Sequence, residues 1–571
     1  MSPVTSLFGL LSPFFKRELR IHHLHWFWLP IMLYFILGIQ YYQANVGGTG
    51  IDLPFNLIGW GLIGVALSVG LWSLYLRGKV KISRQIILMG ILITGLFAPF
   101  VFTEPQGQSS TWFRFIALPL IWLLVLMSLQ YRVTQKTQII LVTAIVIGTS
   151  AQTVIGFAQM TFMDHPFRPF GHFQQPNLMA SYITTGIACL FWLIAVSPKL
   201  ARWRWITLFT IICLLAGMVG AQLDSRAALP YGVIVGVIGS VYWVTKKQYA
   251  PMLLLVAFVA GWFGETLFTT PKPTITHNTT AFVAQNKIEE RVILYPQVVQ
   301  MIQENLVTGV GYGHFESAYV KFSAQQAREQ NNPILVRHNM SHPHNEILYW
   351  AVEGGILAAV AVLSMFVLLF VWLLRKRQPH KPLILALFFP ITGHTFIEYP
   401  LHSSLPHLLV LLIFVRLFVL DNATRYLNIH RHITPLIRPL SLLIGLGMVV
   451  FSITGLHTNK LVLDYELAAV KTPAPYLSII NPFVHYERYW TNIMAHKALA
   501  GMQNNDHQAI EDYIIWAEEM VANRPRKVYW DNIIRLKHYL NQLSISDCQT
   551  YELYFPPAKC ESLIQEKPPQ T

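Results

Sequence analysis

The apolar residues of this chain neither alternate nor form a one-sided stripe. They fall into runs of about 17 to 25, the length a helix needs to cross a hydrocarbon core of roughly 30 Å. About thirteen transmembrane helices are expected, near 26–42, 56–76, 86–102, 115–130, 138–160, 177–197, 205–222, 228–244, 250–268, 347–374, 382–397, 404–420 and 436–456. The first run follows Lys16, Arg17 and Arg20 without a small-residue cleavage site behind it, so it is expected to remain as an anchor. Two stretches leave the pattern. One is a long polar loop at 269–346. The other is the tail from 457, where roughly a fifth of the residues are charged. Within the tail, Trp490, Ile493, Met494 and Ala498 share one helical face, and Ile510, Tyr513, Ile514 and Ala517 share another. The expected fold is all-α and polytopic: helices one to nine in 1–268, a long loop in 269–346, helices ten to thirteen in 347–456, and a small helical domain in 457–571.

Composition agrees with lipid as the solvent. Of 571 residues, 53% are hydrophobic and 12% charged, against about 25% charged in a soluble domain. The net charge of +14 does not indicate nucleic acid, because the cations sit in alternate short loops: Arg77, Lys79, Lys81 and Arg84; Arg132 and Lys136; Lys199, Arg202 and Arg204; Lys246 and Lys247; Arg375 to Arg377 with Lys381; Arg425 and Arg431. The positive-inside rule makes these loops cytoplasmic. Alternation then puts the long loop and the tail outside the cytoplasm. Cys189 and Cys213 lie within spans, whereas Cys548 and Cys560 lie in the exported tail, where an oxidising compartment permits a disulfide, the alternative being two free thiols.

Polar clusters gather on the face opposite those cations: His172 to Asn177, Asp224-Ser225-Arg226, Arg291, Arg337-His338 running into His342-Pro343-His344-Asn345-Glu346, and His394 with Glu398-Tyr399-Pro400 and His402. Any one of them serves equally well as a helix cap or a snorkelling side chain. Ionisable groups converging at a membrane edge nevertheless make a site hypothesis. Arginines suit a diphosphate through bidentate donors, and histidines suit proton transfer near neutrality. His342 and His344, with His338 nearby, have the spacing of zinc ligands, but the exported region has no Asp-x-Asp cluster for Mg²⁺, and no metal is expected. Gly309-Val-Gly311-Tyr-Gly313 follows no clear strand and reads as a turn.

The segments GHFQQPNLMASYI (171–183), Arg291 followed by GVGYGHF (309–315), HPHNEILYWAVEGGI (342–356) and HTFIEYPL (394–401) resemble the bacterial O-linked oligosaccharyltransferases of the pilin-glycosylating type, which belong with O-antigen ligases and polymerases in the Wzy_C superfamily. The resemblance covers about 170–405, and reaches the tail more weakly. It implies a multi-pass inner-membrane enzyme of the GT-C type with its active site facing the periplasm. Such an enzyme moves a glycan from undecaprenyl diphosphate to a Ser or Thr hydroxyl of an acceptor protein such as a pilin, with no metal or other cofactor. Carried over to this chain, His344 is the base, Gln175 and Tyr399 are catalytic partners that orient sugar or acceptor, and Arg226 and Arg291 bind the diphosphate. Asn177, His342, Asn345, His394 and Glu398 support them. Glu398 is expected either to fix the tautomer of His344 or His394 or to serve at a helix end. An O-antigen ligase acting on lipid A core uses a similar His and Arg set, and a polymerase is a third reading. A transporter, from a different class, would carry midplane charges and inverted repeats, which the sequence does not display.

Overall fold

The structure is a computed structural model that describes residues 23–104, 109–163, 168–223, 225, 228–264, 278–420, 425–556 and 560. Arg226 and Asp224 lie outside the described residues. The described chain is almost entirely helical. In order, the helices are α1 His23–Ile36, α2 Pro54–Arg77, α3 Arg84–Gly95, α4 Ser109–Leu129, α5 Gln135–Phe162, α6 Pro176–Val196, α7 Trp203–Gln222, α8 Ala228–Thr245, α9 Leu253–Gly264, α10 Asn278–Glu304, α11 Phe315–Glu329, α12 Glu346–Arg375, α13 Lys381–His394, α14 Pro400–Ser403, α15 Leu405–Phe414, α16 Thr434–Leu467, α17 Ala474–Leu477, α18 Tyr486–Asn504, α19 His507–Asn523, α20 Lys527–Tyr539 and α21 Ile545–Tyr554.

Each of the thirteen apolar runs coincides with a helix. Among the described residues nine helical stretches are long and apolar enough to cross a membrane, and three apolar ones, Trp26–Gln40, Ala250–Gly264 and Leu405–Val419, are shorter. The run at 382–397 is α13, 14 residues long. Two sequence boundaries shift. The last span does not stop near 456, because α16 continues to Leu467. The stretch expected as a long loop is itself mostly helix, formed by α10 and α11.

Local signals explain several helix starts. Ser83 accepts the Ile86 amide at the head of α3, Thr134 and Thr137 form a capping box on α5, and Pro176 opens α6 where its missing N–H costs nothing. α6 is buried along nearly its whole length and forms the axis of the bundle. At one end of the bundle lie the cation-rich loops. There β1 (Lys79–Ile82) pairs antiparallel with β2 (Arg425–Asn428), with Lys79 opposite Asn428 and Ile82 opposite Arg425. Arg77 and Lys81 donate to the carbonyl of Gln130, and Lys376 donates to those of Val419 and Leu420.

The opposite end carries the long-loop helices and the tail. α12 is broken at Gly355 (φ 64°, ψ −161°), and the Gly309–Gly313 turn docks into the break. Val310 N–H donates to Val352 O at 2.8 Å, Gly311 N–H to Glu353 O at 2.9 Å, and Ile356 N–H to Leu306 O at 2.7 Å. The amides and carbonyls freed by the break are thereby satisfied. Glu353 closes the joint: one carboxylate oxygen accepts Gly313 N–H at 2.9 Å and the other meets Arg114 at 2.6 Å. The buried guanidinium of Arg114 also lies about 5 Å from the ring centroids of Phe115, Tyr312, Tyr349 and Trp350.

In the tail, Ile510, Tyr513, Ile514 and Ala517 are buried together with Tyr529, Ile533 and Ile534, so the second helical face read from the sequence is a core. The first face is divided. Met494 and Ala498 join that core, while Ile493 packs with Tyr465 and Tyr476 beside the end of α16. Cys548 and Cys560 are joined by a disulfide, and Cys189 and Cys213 are buried free thiols.

Candidate active site

The site is assembled from three segments that meet at the end of the bundle away from the cations: 341–346 leading into α12, 394–404 between α13 and α15, and Arg291 on α10. Asn345 fixes the first of these. Its Oδ1 accepts the amides of Ile347 and Leu348, both at 3.0 Å, and its Nδ2 donates to Phe396 O at 2.9 Å. The asparagine beside His344 is therefore the N-cap of α12 and ties the first segment to the second. Asn345→Ala is expected to cost about 1 kcal/mol of stability, visible as a lowered melting temperature of the purified protein. An unchanged melting temperature would contradict the capping role.

With the helix start fixed, His344 adopts a left-handed backbone (φ 50°) that turns its ring toward Glu398, with Nδ1 2.9 Å from Glu398 Oε2. Tyr295 holds the His344 carbonyl at 3.1 Å. Glu398 is 5% exposed, and its other oxygen lies 3.5 Å from Arg291, which also donates to Ile397 O at 3.1 Å. Of the two partners expected for Glu398, the structure pairs it with His344. A carboxylate only accepts, so Nδ1 carries the proton and Nε2 is left as the basic nitrogen. His344 and Arg291 remain open to solvent, with side chains 27% and 38% exposed.

His342 sits behind this pair. Its Nδ1 accepts the His344 amide at 3.2 Å, and its ring centroid is 3.7 Å from that of Tyr399. Burial, reinforced by His344, His402 and Arg291, holds its pKa well below the ordinary imidazole value, so it stays neutral. Burial likewise pushes the Tyr399 phenol up, helped by Glu398, Tyr349 and Glu346, so Tyr399 remains a hydrogen-bond donor at neutral pH. Ligand atoms of His342, His344 and Glu398 lie within 4.8 Å of one another. Two of those groups are already engaged, however: His342 Nδ1 by an amide proton, and Glu398 by Arg291.

Two cavities meet at Tyr399, Gly48 and Thr49. The smaller, about 200 Å³, is lined by Gln174, Gln175, Leu178 and Ser403 as well. Gln175 is the N-cap residue of α6 and makes no side-chain capping bond, which leaves its amide for the cavity. Asn177 lies half-buried in the first turn of the same helix. The larger cavity, about 600 Å³, is amphipathic. Its polar end holds His342, Glu346, His402, Glu316, Arg524 and Arg526, and its remainder is an apolar trough between α3, α4, α12 and α15. The trough reaches Trp372, Val419 and Leu420, beside the Lys376 contacts at the cationic end.

Not every sequence candidate joins this site. His394 is fully buried inside the bundle, where its Nδ1 meets Ser181 Oγ at 2.7 Å and the same hydroxyl meets His407 at 3.0 Å. Its place is a buried hydrogen-bonded network rather than the surface of either cavity. Sequence reading also passed over several groups. From the tail, Arg524 and Arg526 form an ion-pair lattice with Glu316 of α11 and Glu487 of α18, including Arg526 Nε to Glu316 at 2.9 Å and Arg526 Nη1 to Glu487 at 2.7 Å. A pair of arginines flanking Pro525 between two helical stretches was the available signal. Glu346 and His402, both named in the sequence clusters but given no role there, lie 2.5 Å apart.

Two comparisons with known families bear on this geometry. The family model described as O-antigen ligase matches residues 179–363, from α6 through the long-loop helices and into α12. The model described as virulence factor membrane-bound polymerase, C-terminal, matches 383–544, from α13 through α20 and up to the start of α21. A search of curated proteins finds no match. The two matched regions contain the described cluster of His342, His344, Glu398 and Tyr399 together with the tail arginines, and the chain belongs to the Wzy_C superfamily of O-antigen ligase-like and polymerase-like membrane enzymes.

Proposed function

We propose that the chain is an O-linked oligosaccharyltransferase that moves a glycan en bloc from undecaprenyl diphosphate to a serine or threonine hydroxyl of a protein outside the cytoplasm, such as a pilin. The observation that carries this reading is the amphipathic trough. From Ile356, just past the break at Gly355, to Trp372 the helix rises roughly 24 Å at 1.5 Å per residue, well beyond half of a hydrocarbon core of about 30 Å, and the cavity follows it toward the cationic end. An ordinary glycerolipid fills one leaflet. A trough of this reach suits a polyprenyl chain, whose diphosphate then lies among the polar groups at the opposite end.

The chemistry follows from the side chains. His344 Nε2 takes the proton of the attacking hydroxyl while Glu398 fixes the ring and stabilises the imidazolium. Departure of the lipid diphosphate concentrates negative charge on its oxygens, so Arg291, with Arg226, favours the transition state over the ground state. Gln175 and Tyr399 supply neutral hydrogen bonds where the cavities meet. The cation-rich loops at the other end of the bundle support a site outside the cytoplasm. Reporter fusions after residues 275 and 470 are expected to be active only as exported reporters, and cytoplasmic activity at either position would overturn this sidedness.

Co-expression with a lipid-linked glycan pathway and a candidate pilin tests the function itself. Intact mass should find the glycan on the pilin and none on lipid A. Glycan on lipid A alone would assign the chain as an O-antigen ligase, and longer glycan on the lipid carrier would assign it as a polymerase.

A further inference from the structure

α16 runs past the level at which a membrane span should end, and the chain that follows it comes back down. Lys460 and Asp464 are the first charged residues after Arg438, and their side chains are 68% and 50% exposed. Below them Val450 and Ile453 are 56% and 61% exposed, on a helix apolar enough to cross a membrane, so they face lipid. Beyond Leu467 the chain turns, and Tyr476 and Ile479 pack with Val462 and Tyr465. It then descends further. Asn481 Nδ2 donates to Phe451 O at 3.3 Å and to Thr454 Oγ1 at 3.1 Å, while Thr458 Oγ1 donates to Asn481 O at 3.0 Å. The Phe483 ring lies 6.1 Å from that of Phe451. Residues 481–483 therefore stand beside 451–458, and Thr454 is roughly 9 Å below Lys460 at 1.5 Å per residue.

The composition of this returning segment changes with its level. From Thr472 to Tyr486 there is no Lys, Arg, Asp or Glu, in a tail of which roughly a fifth is charged. Ile480 and Leu477 are left uncovered, 72% and 69% exposed. The polar groups are turned inward or removed: the Asn481 side chain is bonded to α16, Ser478 Oγ donates to Ala474 O, and Pro473, Pro475 and Pro482 carry no amide proton. Among the described residues the amides of Ile480 and Asn481 donate to no protein group. Such a backbone needs water, which limits the depth it can reach.

We infer that residues 477–483 form an interfacial anchor seated in the leaflet at this end of the bundle, with Ile480 at the boundary between head groups and acyl chains and Leu477 among the head groups above it. Phospholipid is assigned as the occupant by continuity: Val450 and Ile453 already face lipid, and the row of Phe451, Thr454 and Thr458 that carries Asn481 is the next one around α16. The anchor also bears on the larger cavity. His485 to Arg488, which follow it directly, line that cavity, and Phe113, another lining residue, stacks at 6.2 Å on the Phe451 ring that Phe483 meets. The leaflet thereby holds one wall of the cavity at a fixed height. This anchoring is independent of the transferase reading.

The test uses the full chain in phospholipid nanodiscs, with one introduced cysteine carrying an environment-sensitive fluorophore. Cys189 and Cys213 are buried and Cys548 is bonded to Cys560, so the label falls on the introduced thiol. Ile453→Cys and Leu467→Cys, at positions of α16 that are 61% and 75% exposed, give the lipid and water references. Emission from Ile480→Cys should be shifted to the blue as at Ile453, quenched by phospholipid bearing a nitroxide high on the acyl chain, and spared by iodide relative to Leu467. Leu477→Cys should be reached by both quenchers. Emission and iodide quenching at Ile480 equal to those at Leu467 would overturn the anchor, because the segment would lie in water. Blue-shifted emission that neither quencher reaches would overturn it as well, because a protein surface such as a second copy of the chain would then cover Ile480. Stronger lipid quenching at Leu477 than at Ile480 would reverse the order of depth and overturn the geometry.

Discussion

Removal of His344 is expected to lower glycan transfer by about 100-fold or more, the contribution of a well-placed general base, while expression and membrane insertion stay at the level of the unmodified chain. Alanine alone is an ambiguous substitution here, because His344 holds a left-handed backbone that costs an L-residue roughly 1–2 kcal/mol. His344→Asn separates the two effects, since asparagine tolerates that conformation but offers no basic nitrogen. Both variants should lose transfer, and the asparagine variant should melt where the unmodified chain does. Near-normal turnover by either would end the general-base assignment. His342→Ala is the internal comparison. It removes the acceptor for the His344 amide and the ring against Tyr399, so it should act through positioning and cost less than loss of His344.

The second large effect is expected at the broken helix. Gly309 and Gly355 both have positive φ, 68° and 64°, and a Cβ on either would overlap backbone: the Glu353 carbonyl for Gly309, the Val307 carbonyl for Gly355. Backbone cannot step aside as a flexible side chain can. Alanine at either position combines left-handed strain with overpacking, together roughly 3 kcal/mol or more. Gly309→Ala and Gly355→Ala should accumulate poorly and lose the monodisperse peak on size exclusion in detergent, with any surviving protein melting several degrees lower. Gly78→Ala is a useful comparison, because Gly78 also has positive φ (60°) but nothing lies within 4 Å of its Cβ position. Equal behaviour of all three variants would mean that strain alone matters and that the docked turn is not tightly packed.

The membrane helices were legible because lipid imposes one requirement, an uninterrupted apolar run, and every such run became a helix. The break in α12 was not, since Glu353-Gly354-Gly355 reads as an ordinary helical continuation until the Gly309 turn is brought against it. Long-range pairing of that kind leaves no periodic trace. In the site, His344, Glu398 and Arg291 were accessible to sequence reasoning because ionisable groups at a membrane edge are conspicuous. Asn345 illustrates the opposite risk: adjacent to His344 and polar, it was grouped with the site, and the structure gives it to the backbone of α12. His394 was drawn in by proximity along the chain to Glu398, yet a helical turn carries it inward to Ser181. The Glu346–His402 pair escaped because its members come from different segments and neither belongs to a compact motif with the other.

The tail also touches the site through its far end. Phe555 stacks on His338 with ring centroids 4.8 Å apart, Leu553 and Tyr554 pack near Val336, and Arg526 reaches Glu316. These contacts brace the stretch that leads into His342 and His344, but they come from residues made some two hundred positions later. During synthesis all the spans and both long-loop helices emerge before any of the braces exist. The stretch that leads into His342 and His344 therefore gains these braces only after the last helix has been synthesised, and an inserted chain whose tail is still emerging lacks them.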